Sequence, residues 1–169
     1  EHLQRTGKEI PLIMPGFAET ALYLNSKGVL PVVVSAGTNW VLENTIALAA
    51  KDYQDRYHQS INPQDLVKRE NLISTIPIGS KKLPETWAQA VRRYDVETVA
   101  VYEDTFANLV AAVEGCNSRI GYHITSTENG LAVLVDNAKI FRGHMSEALP
   151  HLKGYIERDG LPRNSWLLD

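Results

Sequence analysis

The 169 residues contain one cysteine, Cys116. An internal disulfide is therefore excluded, which fits a reducing compartment. Cys116 follows an apolar run and Gly115, so it is expected to be a buried, inert thiol rather than a reactive one. No apolar stretch approaches the roughly 20 residues that a membrane helix needs. The opening "EHLQRTGKE" has the makeup of neither a signal nor a transit peptide. These absences predict a cytoplasmic chain with no membrane partner. Basic residues occur only as isolated pairs, Lys81 with Lys82 and Arg92 with Arg93, and the net charge is −3. Nothing here could track a phosphate backbone, so nucleic acid is not an expected partner.

Other signatures are missing too. There is no internal repeat and no low-complexity tract. Neither G-x-G-x-x-G nor G-x-x-x-x-G-K-[ST] occurs, which counts against a nucleotide-binding α/β domain of unrelated kind. None of the five histidines pairs with another at i, i+4, so no zinc-type cluster is expected. His144 and His151 read as surface residues.

What is present is alternation. With 44% hydrophobic and 22% charged residues, the chain suits one globular domain over residues 1–169. "PGFAETALYLNSKG" has Phe17, Ala21 and Leu24 on one helical stripe, with Gly28 as a stop. "LPVVVSAG" is a β-branched run of the kind buried on both faces. "TNWVLENTIALAAKDYQDRY" predicts a helix capped by Thr38 or Asn39. "INPQD" predicts a loop. "LISTIPIGS" predicts a strand, ended early or at an edge by Pro77. "LPETWAQAVRRY" predicts a helix with Trp87, Val91 and Tyr94 on one face. "VAVYEDTFANLVAA" predicts a strand over residues 98–102 and a helix over 106–113, closed by Gly115. "SRIGYHI" and "LAVLVD" are strand candidates either side of the turn-like "STENG". "SEALPHLKGYIE" predicts a last helix interrupted by Pro150. Strands alternating with helices imply βαβ units and a mostly parallel sheet.

In such sheets ligands bind at the carboxyl ends of the strands. Three strands end there in polar residues: Ser35, then Lys81 and Lys82 after a Gly-Ser turn, then Glu103 and Asp104. Each has an ordinary use. Asp104 could cap the helix after it, Ser35 could be a turn residue, and the lysines could be solvated. Each also has a chemical use. Asp104 could hold Mg2+, with Asn108 one helical turn on. Ser35, with the backbone N–H groups of Ala36 and Gly37, could bind an oxyanion. One lysine could serve as a point charge for phosphate.

The order hydroxyl, lysine, acid resembles the haloacid dehalogenase superfamily of phosphohydrolases. "PLIMPGFAETALYLNSKGVLPVVVSAGTN" is similar to the stretch leading into that family's second motif, and Ser35 takes its hydroxyl position. "GSKKLPETWAQAV" resembles the third motif, and its spacing puts Lys81, not Lys82, at the motif lysine. "VAVYEDTFANLVAA" resembles the fourth, with Asp104 at the metal-ligand position, Glu103 for the usual Gly, and Asn108 for the second acid. The resemblance covers residues 11–113. It implies a three-layer, Rossmann-like, mostly parallel α/β sheet, a Mg2+ cofactor and a small phosphorylated substrate. Ser35 and Lys81 would be catalytic. Ser35, Ala36, Gly37 and Lys81 would bind phosphate, and Asp104 and Asn108 the metal.

The family's first motif, Asp-x-Asp on a central strand, is missing from the chain. Without it the nucleophile is lost and the sheet has a gap, with two rows of unpaired backbone groups. The expected remedy is an N-terminal segment, with a cap domain, lying outside these residues. The next is a second chain, and after it direct pairing of the flanking strands, with "EIPLIM" a lesser filler. If nothing supplies the motif, a non-catalytic binding or regulatory module is expected instead.

Overall fold

The computed structural model describes residues 16–94, 97–118, 120–124, 133–135, 138–143 and 145–159. The "EIPLIM" segment, the "STENG" turn, His144 and the C-terminal "LPRNSWLLD" lie outside the described residues. The chain is mixed α/β. Its order is α1 (Phe17–Ser26), β1 (Val33–Ser35), α2 (Asn39–Tyr57), α3 (Pro63–Leu66), a 3-10 turn (Arg69–Asn71), β2 (Leu72–Ser74), α4 (Pro84–Val91), β3 (Ala100–Glu103), α5 (Phe106–Cys116), β4 (Ile120–Ile124), β5 (Val133–Val135), β6 (Ala138–Gly143) and α6 (Met145–Asp159).

Local chemistry sets most of these bounds. Gly16 at the start of α1 has φ 96°, and Gly28 beyond its end has φ 73°; both angles suit glycine. Thr38 caps α2, its Oγ1 accepting the Val41 N–H at 3.4 Å. "INPQD", expected to be a loop, carries the single-turn α3. The Asp65 carboxylate reaches back to accept the Asn62 N–H at 2.7 Å, and Pro63 opens the turn. Pro150 does not interrupt the last helix, which runs unbroken from Met145 to Asp159. Ala148, Leu152 and Ile156 are buried against β3 and β4, and that packing outweighs one lost backbone bond.

The strands form two separate sheets. β1 pairs with β2 in parallel, Val33 opposite Leu72 and Ser35 opposite Ser74. β3, β4 and β6 run parallel in that order, and β5 pairs antiparallel with β6. Among the described residues β1 and β3 are each an edge, and they are not hydrogen-bonded to one another. Side chains alternate along both edges. Val33 packs with α1 and α2, whereas Val34 joins Trp87 and Leu109 on α4 and α5. Val101 faces that same α4–α5 group, whereas Ala100 and Tyr102 pack with α6 and with Phe17, Tyr23 and Leu24 of α1. Helices thus cover alternate sides of both edges.

Gly115, expected as the stop of its helix, lies inside α5, which runs to Cys116 and is capped by Asn117 at φ 51°. The glycine is there for contact. A Cβ on it would lie 2.2 Å from the Pro84 carbonyl oxygen and 2.9 Å from the Trp87 Cβ. Gly115→Ala must push α4 off α5. It should destabilise the fold by roughly 2–3 kcal/mol, measured by urea unfolding; an unchanged midpoint would contradict this packing.

Candidate functional site

β3 places Val101 and Glu103 on one face, because a strand repeats every two residues. Val101 enters the core, so Glu103 is carried inward as well, and both are buried. A carboxylate there needs partners. Lys81 supplies the main one, with its Nζ 2.5 Å from Glu103 Oε2 and side-chain exposures of 17% and 6%. The other carboxylate oxygen accepts the N–H groups of Asp104 at 3.0 Å and Thr105 at 3.3 Å. Lys81 is fixed in turn by Trp87 on α4. The indole N–H donates to the Lys81 carbonyl at 2.8 Å, and the ammonium lies 5.2 Å from a Trp87 ring centroid.

In the turn between β2 and α4, Lys81 and not Lys82 points inward. Lys82 is exposed, and its N–H donates to Ser80 Oγ at 3.2 Å. Asp104 is exposed at the end of β3 and does not cap α5. The residue before that helix is Thr105, which makes no side-chain cap bond. Glu103 takes the adjacent backbone donors instead. Thr105 Oγ1 donates to Asp104 Oδ1 at 3.4 Å, and the His123 ring approaches the Asp104 carbonyl oxygen at 3.0 Å.

The two neighbouring carboxyls differ in acidity. Burial pushes the Glu103 pKa above the ordinary range, and a side-chain hydrogen bond shared with the Asp104 carboxyl adds to this, against the pull of Lys81. That same hydrogen bond is the largest cause holding Asp104 below the ordinary range, with burial opposing it. One site therefore holds a weaker and a stronger acid side by side, the division that proton-transfer chemistry uses.

Ser35 ends β1 and is half-buried. Its Oγ accepts the Gly37 N–H at 3.1 Å and its carbonyl accepts the Thr75 N–H at 2.8 Å. This is turn geometry; its own hydroxyl proton is not committed by either bond. Ala36 is exposed, Gly37 half-buried, and Asn108 half-buried in the first turn of α5. The structure thus joins Lys81, Glu103 and Asp104 in one contact set. Ser35 belongs to the carboxyl end of the neighbouring sheet. Among the described residues no group of three or more His, Cys, Asp or Glu is placed to hold a metal ion, and no helix is long and apolar enough to cross a membrane.

Between the two edge strands lies a cavity of about 460 Å³. β1 lines it with Val33 and Val34, β3 with Val101 and Tyr102, and Lys81 and Glu103 stand at its end. Cys116 also lines it; burial raises that thiol to a pKa of about 11, in keeping with an inert residue. The sequence reading left Glu103 without a role. The period of two from Val101 was the signal for it. Tyr102 and His123 carried no such signal, since their neighbours come from other strands. Comparison with protein-family models, curated proteins and solved structures finds no match to this chain.

Removing Lys81 leaves Glu103 buried without its cation. Lys81→Met should destabilise the fold by roughly 3 kcal/mol, and adding Glu103→Leu should recover most of the loss. Urea unfolding of the single and double variants checks this; equal losses in both would contradict the pairing.

Proposed function

We propose that this chain forms most of the core of a Mg2+-dependent phosphohydrolase of haloacid dehalogenase type, a three-layer sheet acting on a small phosphorylated molecule. It is complete only with a first-motif segment from outside residues 1–169. The observation that carries this reading is the inward Lys81, held against Glu103 next to Asp104 at a strand end. Three motif-like stretches in the family's order support it.

On this reading each residue has a definite task. Ser35 donates its hydroxyl proton to a phosphoryl oxygen, joined by backbone N–H groups of Ala36 and Gly37. Ser35 must then give up or share its bond to the Gly37 N–H. Lys81 offsets negative charge on the phosphate and on the incoming carboxylate while Glu103 holds its ammonium in place. The side-chain oxygens of Asp104 and Asn108 are hard donors that suit Mg2+, and two of them leave positions for water, phosphate and a further carboxylate. When bound, the ion would offset charge on the transferring phosphoryl group. The nucleophilic carboxylate belongs to the missing motif. Asn108, standing where the family has an acid, favours a second reading, a non-catalytic binding or regulatory module.

The test uses a protein that carries the first-motif segment together with this chain, with p-nitrophenyl phosphate and Mg2+. Lys81→Ala and Asp104→Ala should each lower kcat by about a hundredfold or more. Full activity in both variants would refute the assignment, and no Mg2+-dependent turnover in the parent would support the non-catalytic reading.

A further inference from the structure

The exposed apolar side chains of this fold are not scattered. Among the described residues the large ones include Trp40 at 73%, Ile76 at 65%, Leu83 at 52% and Phe106 at 40% exposure. Single exposed apolar residues are ordinary; the placement of these is not. Trp40 lies in the first turn of α2, after β1. Ile76 stands two residues beyond the end of β2, and Leu83 directly precedes α4, two residues after Lys81. Phe106 opens α5, three residues after Glu103 ends β3. All four follow the carboxyl end of a parallel strand, and the Lys81–Glu103 ion pair brings the segments after β2 and β3 to one rim. Leu48 and Tyr57, also exposed, lie further along α2.

The part of this rim nearest the charged group is aromatic. β3 and β4 pair with Glu103 opposite His123. A His123 ring nitrogen lies 3.0 Å from the Asp104 carbonyl oxygen. The same ring stands 5.5 Å from that of Phe106, centroid to centroid, with the planes 59° apart. Aromatic rings attract one another at centroid separations of roughly 4.5–7 Å in tilted or offset arrangements. A tilted pair with an exposed member is therefore shaped to accept a third ring. We propose that Phe106 and His123 form an aromatic subsite beside Asp104 that takes the organic body of the substrate, an aryl or heteroaryl group. Leu83 adds apolar surface on the Lys81 side. The inference rests on the phosphohydrolase reading for the phosphate, and on the rim alone for the ring.

A sugar or polyol phosphate fits this rim less well. Its hydroxyls would lose water against apolar side chains, and each one left unpaired costs free energy. The Thr105 hydroxyl, between Asp104 and Phe106 in the chain, already donates to Asp104 at 3.4 Å. An alkyl body would gain the apolar contact without the ring geometry. Phe106 is thus a specificity-determining residue, set against the body of the substrate and not against the reacting oxygens.

Nuclear magnetic resonance of the Phe106 and His123 rings in the full 169-residue chain, with Mg2+ in the buffer, tests it. Methylphosphonate offers the head without the ring, benzyl alcohol the ring without the head, and phenylphosphonate both. Phenylphosphonate should shift both rings and bind roughly tenfold tighter than methylphosphonate. Phe106→Ala should cut that advantage to less than about threefold with methylphosphonate binding unchanged, and Phe106→Tyr should restore it. Equal affinity for the two phosphonates would overturn the aromatic subsite and leave the phosphohydrolase reading standing. Equal binding of phenylphosphonate and benzyl alcohol, with no response to methylphosphonate, would uphold the subsite and count against the phosphate. No response to any probe would overturn the subsite. So would Phe106 shifts that follow dilution and ignore phenylphosphonate, which would assign the rim to a second copy.

Discussion

A backbone amide buried without a partner costs as much as a lost hydrogen bond, and that constraint organises this molecule. Among the described residues, β1 and β3 each turn an edge without a strand partner toward one cavity. α1 lines that cavity with Phe17 and Leu24, and α4 lines it with Trp87 and Val91. α1 reaches across to touch the β3–β4 core, and Val34 of β1 reaches across to the α4–α5 core. The two sheets are held in mutual register by helices and side chains, not by a shared ladder.

The Lys81–Glu103 pair follows from that arrangement. Period-two alternation carries Glu103 inward beside Val101, and Trp87 holds the Lys81 backbone and ammonium at the opposite wall. The pair spans from the turn after β2 to the end of β3 and so ties one sheet to the other at the carboxyl edge. Burial makes Glu103 the weaker acid and leaves Asp104 the stronger. A structural tie and a charged site are thus the same contact, which is why the functional reading and the packing stand on one set of residues.

Much of this was legible in the residues alone. The stop at Gly28, the end of β1 at Ser35 and the two carboxylates at the end of β3 are local signals, readable from turn chemistry and alternation. Gly115 was misread as a stop because a glycine kept small for helix contact looks the same in sequence as one kept for its φ angle. Pro150 was misread because its cost is local while Leu152 and Ile156 stabilise the helix from a distant sheet. β6 went unread, since "AKIFRG" mixes apolar and basic residues and shows no clean period. The cavity between β1 and β3 is a tertiary feature that no local sequence signal marks. Which side chains line that cavity, and that the buried Tyr102 hydroxyl has no hydrogen-bond partner among the described residues, depended on tertiary placement.

Nuclear Overhauser contacts across the sheet measure the central claim most directly. The account predicts cross-strand contacts for Val33 with Leu72 and for Ala100 with Ile120, and none between β1 and β3 in the 169-residue chain. Direct backbone contacts from Val33, Val34 or Ser35 to Ala100, Val101 or Tyr102 would mean the sheet is already closed, and would contradict it.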